Sequence, residues 1–215
     1  MVRVSIMMAK KYQLANNYQL RGWEVISEVI PKSQIDAIKE HALPMRQECR
    51  KYSKWDGISC AGRFNGDLMA FYTSDVMRSV AESILGSKTY LFNDQVVYKL
   101  PHDGMTFEPH FDDQYGTNID GSIHTVNLSV VLDDFTSWNG TLSLQNADDG
   151  EWVTVYPKSG DIIAIRGQTC HKSTENISMS PRGLYACVYT EAPMNMTGFY
   201  KTLFEKVMRH CPVMR

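Results

Sequence analysis

From Thr89 onward the chain is a series of short segments rich in β-branched and aromatic residues, separated by turn dipeptides. The pattern predicts strands over residues 89–100, 124–132, 141–146, 151–156, 161–166 and 183–191. Asn139-Gly140, Asp149-Gly150 and Ser159-Gly160 lie between them, and glycine supplies the left-handed backbone that tight turns need. Several of these connections are only a few residues long, whereas a parallel pair requires a crossover of roughly a dozen residues or more, so sequential neighbours should run antiparallel. Short antiparallel strands in series close into a sandwich or jelly roll. The expected fold is therefore mostly β with flanking helices, a cupin-like double-stranded β-helix.

A chain of 215 residues suits one domain with one core. Its expected parts are a helical N-terminal portion over about residues 1–88, a jelly-roll core over about 89–192 and a closing helix over about 197–208 with Thr197 as its cap. Residues 1–20 show no period and read as an arm or a short strand, and residues 21–26 read as a strand. Ser33, followed by Asp36, is the expected cap of a helix that Pro44 should kink or interrupt. Residues 51–71 carry three glycines and several aromatics and read as a long loop, in which Arg63 is either a solvated arginine or a substrate contact. Ser74 caps a helix ended by Gly86, with Val76, Val80, Ile84 and Leu85 expected to face the core.

A net charge of −2 and a pI near 6.3 give no reason to expect a nucleic-acid partner. No apolar run has the length of a membrane span, and the first twenty residues lack a signal-peptide core, so a cytoplasmic protein is expected. Five cysteines without a Cys-x-x-Cys pair argue for reduced thiols over disulfides or structural zinc.

The chemistry-bearing stretch is Pro109-His110-Phe111-Asp112-Asp113, paired with the distant His171. If the segment is extended, His110 and Asp112 point to one side and Phe111 and Asp113 to the other. Two imidazoles and one carboxylate form the facial triad of non-haem iron(II) oxygenases, with open positions for a co-substrate and oxygen. The same set can hold catalytic zinc, which leaves a zinc-dependent hydrolase as the rival, although no Glu is placed as in H-E-x-x-H. His41, His102, His124 and His210 read as helix, turn or strand-end residues and not as ligands. Gln114 and Tyr115 are candidates for the substrate rim.

Beyond His171 the chain continues with Ser173, Asn176, Ser178 and Arg182, eleven residues after the histidine. This arrangement resembles the phytanoyl-CoA dioxygenase-like branch of the iron(II)/2-oxoglutarate oxygenases, in which H-x-D is followed by a distal H-x-S-x-x-N-x-S and an arginine. Residues 94–101 also look like the strand and loop that lead into that family's metal motif. The resemblance covers roughly residues 90–192, and the first third of the chain adds little to it.

It implies Fe(2+), 2-oxoglutarate and O2 as cofactor and co-substrates, with 2-oxoglutarate converted to succinate and CO2 while a C–H bond of the substrate is attacked. His110, Asp112 and His171 would hold the metal. Arg182 would clamp the far carboxylate of 2-oxoglutarate with its planar fork, and Ser173 would add a hydroxyl. Tyr98 and Asn127, taken as facing the barrel interior, would assist at the near carboxylate; plain core polarity is the alternative for both. Asp112 argues against halogenation, which requires a small residue there. The implied reaction is hydroxylation of a small molecule, an amino acid or natural-product intermediate, with desaturation or cyclisation as alternatives. The chain is short for the family, so a compact metabolite is expected over an acyl-CoA.

Overall fold

The computed structural model describes residues 17–51, 54–115 and 121–194, apart from the side chains of Gln114 and Tyr115. The expected closing helix and the arm before residue 17 lie outside the described residues, as do Cys211 and His210.

Among the described residues ten strands form two antiparallel sheets. They are β1 (Trp23–Ile26), β2 (Gly57–Ser59), β3 (Tyr90–Lys99), β4 (Phe107–His110), β5 (Thr125–Val131), β6 (Leu142–Gln145), β7 (Trp152–Val155), β8 (Ile162–Arg166), β9 (His171–Ser173) and β10 (Arg182–Thr190). The major sheet has the order β1-β8-β5-β10-β3-β2 and the minor sheet β4-β9-β6-β7, and every pairing is antiparallel. Packed face to face, the sheets make the jelly roll. Its six predicted strands appear within one or two residues of the expected bounds.

Among the described residues the helices α1 (Lys32–Arg50), α2 (Gly66–Tyr72) and α3 (Asp75–Leu85) cover the outer face of the major sheet. That sheet is therefore buried on both faces. Val126, Leu128 and Val130 of β5 meet Ile35, Ile38, Leu68 and Met77 of the helices, while Val131 and Leu184 meet Leu142, Leu144 and Val155 across the sandwich. Burying a side chain of this size contributes about 1.5–3 kcal/mol. No described helix is long and apolar enough to cross a membrane.

The N-terminal portion departs from expectation in five places, the first being that residues 17–21 are helical where an arm or a short strand is expected. α1 starts at Lys32 after an extended Pro31, with no side-chain cap, and it continues through Pro44 for 19 residues. Buried Ile35, Ile38, Ala42 and Cys49 hold it against the sheet on both sides of the proline. The expected long loop contains β2, a 3₁₀ turn (Ala61–Arg63) and α2, whose cap Asn65 accepts from the backbone N–H of Asp67 and Leu68. α3 has the expected Ser74 cap and a left-handed Gly86, but it turns Met77, Ala81 and Ile84 inward and leaves Val76 exposed. Arg63 is exposed on the helix side.

Candidate metal centre and its cavity

His110 is the last residue of β4 and His171 the first of β9, and the two are cross-strand partners with ring centroids 4.3 Å apart. Each ring turns Nδ1 to the carbonyl two residues before it, Glu108 at 2.7 Å and Thr169 at 3.0 Å. A carbonyl only accepts, so Nδ1 carries the proton in both rings and Nε2 keeps its lone pair. Burial, and then the neighbouring His171, push the His110 imidazole below its ordinary pKa and favour this neutral form.

Asp112 does not reach the site by strand alternation. The strand ends at His110, and a 3₁₀ turn (Asp112–Tyr115) carries Asp112 back toward the histidines. Its Oδ2 accepts from Asn127 Nδ2 at 2.9 Å, and Asn127 Oδ1 accepts from Ser129 Oγ at 3.0 Å, so the amide has one sensible orientation. Asp112 Oδ1 lies 3.6 Å from His171 Nε2. One ligand atom from each of His110, Asp112 and His171 falls within 4.8 Å of the others, and no second such group occurs among the described residues. Asp113 points elsewhere: it accepts from Thr125 Oγ1 at 3.1 Å, and its N–H bonds Gly167 O at 3.0 Å.

The three side chains open onto a cavity of about 280 Å³ between the sheets. Along β10 the residues facing it are Arg182, Leu184 and Ala186; along β3 they are Lys99, Val97 and Gln95, partner for partner. Arg182 thus enters at one end, while Asn127, paired with Val188, sits at the other beside Asp112. Arg182 is buried, with Phe135 under its guanidinium at 4.5 Å. Its Nε and Nη2 donate to the carbonyls of Asn139 and Gly140 at 3.3 and 2.7 Å. These bonds use the side-on edge and leave the Nη1/Nη2 edge for a ligand. Ser173 also lines the cavity.

Sequence reasoning missed Lys99, which is fully buried beside Arg182 in the same cavity wall. Burial and then repulsion from Arg182 pull its ammonium down to about 7. Its Nζ donates to the carbonyls of Met105 and Thr174 and sits 4.6 Å over the Phe107 ring. Among the described residues neither Lys99 nor Arg182 forms an ion pair. Trp55 and Phe107, edge to face at 5.1 Å, form an aromatic wall near Gln95. The signal available in the sequence was the alternation Gln95, Val97, Lys99, with a cation two residues before Pro101.

Tyr98 corrects the sequence reading. It is wholly buried on the opposite face of β3, in the helix-side core, and lines no part of the cavity. A strand buried on both faces shows no hydrophobic alternation, so its phase was set one residue off. Asn176 and Ser178 also stay outside the cavity. Asn176 is buried, donates to the carbonyls of Lys99 and Ser180 and accepts from Ser178, which shapes the loop that leads to Arg182. His41 and His124 pair with Asp67 and Glu191, and His102 is an exposed turn residue with φ of 51°.

A jelly roll whose open cavity carries two neutral imidazoles and a carboxylate, with buried cations at the far end, is the architecture of a mononuclear metal oxygenase. The family described as Phytanoyl-CoA dioxygenase (PhyH) matches residues 18–145, more than half of the chain. The protein belongs to this family, and so to the iron- and 2-oxoglutarate-dependent oxygenases. The match begins at residue 18, so the first third of the chain carries family signal that the motif reading did not use, and it ends before His171 and Arg182. Among solved structures, the non-heme alpha ketoglutarate dependent epimerase SnoN from nogalamycin biosynthesis is 18% identical with a TM-score of 0.74, over 86% of this chain and 84% of its own. EctD from S. alaskensis, solved with 2-oxoglutarate and 5-hydroxyectoine, is 17% identical with a TM-score of 0.73, over 87% of this chain and 78% of its own. EvdO2 from Micromonospora carbonacea var. aurantiaca, complexed with 2-oxoglutarate, is 16% identical with a TM-score of 0.72, over 86% and 92%. At these identities the likeness is one of fold. A search of curated proteins found no significant match.

Proposed function

We propose that the protein is an iron(II)- and 2-oxoglutarate-dependent dioxygenase that hydroxylates a compact small molecule. The observation that carries this reading is that three convergent ligand atoms and two buried cations, without ion-pair partners among the described residues, face one cavity. Fully buried Lys and Arg are rarely left unpaired, and a dicarboxylate bound between the metal and Arg182 supplies the missing charge. Three protein ligands of this type suit iron(II) and leave half of an octahedron open.

In this reading His110 Nε2, Asp112 Oδ1 and His171 Nε2 hold the metal. The Nδ1–H bonds to Glu108 and Thr169 fix the ring planes, and Asn127 keeps Asp112 aimed. Arg182 takes the far carboxylate of 2-oxoglutarate on its free edge, with Ser173 and the Lys99 ammonium beside it. When bound, the iron and 2-oxoglutarate supply the oxidant, with succinate and CO2 as co-products. Val97, Leu142 and Leu184 keep the space between the metal and Arg182 dry. The substrate belongs on the other side, against Trp55, Phe107 and Gln95. The cavity lies near the lower end of the roughly 300–1,000 Å³ usual for ligand sites, so co-substrate and substrate together must be small.

The test is to supply Fe(II), 2-oxoglutarate and oxygen with pools of amino acids and natural-product intermediates and to follow succinate. Hydroxylation adds one oxygen atom to the product. Loss of two hydrogens would assign desaturation or cyclisation, and unchanged mass would assign epimerisation, the activity named for SnoN. Succinate release that no variant of His110, Asp112 or His171 reduced would refute the site.

A further inference from the structure

We propose that the buried Arg46–Asp56 pair, outside the cavity, is a positioning device for the metal centre: through Asp56 it fixes the backbone at Met105 and hence the strand that ends in His110. The inference rests on the metal reading above.

β4 cannot place His110 by itself. It is four residues long, lies at the edge of the minor sheet and, among the described residues, pairs only with β9. Its register slips between Phe107 and His110. A short edge strand with an irregular ladder is weakly specified, whereas a misplacement of about 1 Å in a reacting site costs on the order of a hundredfold in rate.

The hold comes from the residues just before the strand. Asp56 Oδ2 accepts from Met105 N–H at 2.6 Å, and Lys99 Nζ donates to the Met105 carbonyl, so both backbone groups of this exposed residue are held from inside the protein. Two residues on, Phe107 packs edge to face against Trp55, the neighbour of Asp56. Asp56 is itself immobilised. Its Oδ1 accepts from Arg46 Nη2 at 3.1 Å with both side chains fully buried. Arg46 Nε also donates to Tyr98 O at 3.3 Å, and Tyr98 N–H bonds Asp56 O at 3.0 Å. Lys99 Nζ further donates to Thr174 O at 2.6 Å, beside the end of β9. One buried network thus ties both histidine strands to β3.

Stability alone does not explain the pair. Two charges have been taken out of water, Arg46 Nη1 has no hydrogen-bond partner among the described residues, and burial pushes the Asp56 carboxyl up. Replacing such a pair with apolar residues of similar size is often neutral or stabilising. What an apolar pair cannot supply is an acceptor for Met105 N–H.

The experiment compares two double variants that both remove the charges. Arg46→Met/Asp56→Asn keeps a carbonyl acceptor at position 56, and Arg46→Met/Asp56→Leu does not. Hydrogen exchange over residues 105–110 is read on metal-free protein, and Fe(II) affinity is then titrated anaerobically. The Asn form should stay within about threefold of the parent in both, whereas the Leu form should exchange at least tenfold faster over residues 105–110 and bind iron at least tenfold more weakly. Met77→Ala, a helix-side core variant, should lower the melting temperature without changing exchange at 105–110. Arg46→Met/Asp56→Ala also removes the acceptor, with less bulk, and covers the case in which the Leu form does not fold; it should speed exchange there in the same way. Parent-like exchange and iron affinity in the Leu form, or in the Ala form if the Leu form is lost, would overturn the proposal. A parent protein that bound no iron would sink the metal reading, while the exchange arm would still decide whether the pair fixes the strand.

Discussion

Replacing Arg182 by Ala separates co-substrate binding from metal binding. The guanidinium offers its Nη1/Nη2 edge to the cavity, and hydrogen bonds to a charged group are worth about 1.5–3 kcal/mol, which at 1.4 kcal/mol per tenfold corresponds to roughly 10- to 150-fold in affinity for 2-oxoglutarate. Lys99 moves the expectation to the low end. It remains in the cavity wall, and although burial is the larger cause of its depressed ammonium, loss of Arg182 removes the second, repulsion between the two cations, so it is more fully charged at neutral pH and still attracts the diacid. We therefore expect a loss of about 10- to 30-fold. The same change strips the Asn139 and Gly140 carbonyls of their donor, at about 1–3 kcal/mol of stability, so the titration belongs well below the melting temperature. Iron content should stay near that of the parent. Arg182→Lys should recover part of the loss, because a point charge does not reproduce the fork. Arg166→Ala, whose guanidinium reaches Tyr18 and Gln19 instead of the cavity, should bind 2-oxoglutarate like the parent. An Arg182→Ala protein that binds 2-oxoglutarate as tightly as the parent would refute the assignment.

Asn127→Ala leaves all three metal ligands in place but frees Asp112, and iron affinity measured by metal titration should fall about 10- to 100-fold. Tyr98→Phe removes a buried hydroxyl without a hydrogen-bond partner; the protein should melt at the same or a higher temperature, by up to about 1 kcal/mol, with 2-oxoglutarate turnover unchanged. For Lys99 the folded pKa, about 7, lies below the unfolded value. The unfolded chain then binds more protons between these values, so stability must rise with pH in that window and the cost of burying the charge is fully present below about pH 7. Denaturant unfolding at pH 7 and pH 9 should show the parent gaining about 2 kcal/mol relative to Lys99→Met.

The jelly roll was legible because turn dipeptides and β-rich runs are local signals, and all six predicted strands lie in the two sheets. The ligand set was legible for a different reason: His110, Asp112, His171, Ser173 and Arg182 form a sparse pattern of functional side chains. Its geometry was not. Asp112 was expected to face the histidine by alternation, but the strand stops at His110 and a 3₁₀ turn does the work, which no period in five residues can show. Tyr98 was expected in the interior and Lys99 went unread because β3 is covered by helices on one face and by the minor sheet on the other, and a strand buried twice has no polar face to set its phase. α1 runs through Pro44 because tertiary packing on both sides outweighs the lost backbone bond. β2 and β9, three residues each, are defined by their partners and carry no pattern of their own.

In the proposed reading one metal, held by His110, Asp112 and His171, chelates 2-oxoglutarate with Arg182 at its far end. Anaerobic addition of Fe(II) and then 2-oxoglutarate should therefore give a metal-to-ligand charge-transfer band in visible absorption that saturates at one equivalent of iron, disappears in His171→Ala, and in Arg182→Ala forms only at higher 2-oxoglutarate concentration. A parent protein that binds iron or zinc at these residues, gives no such band at any 2-oxoglutarate concentration and hydrolyses its substrate with zinc would contradict it.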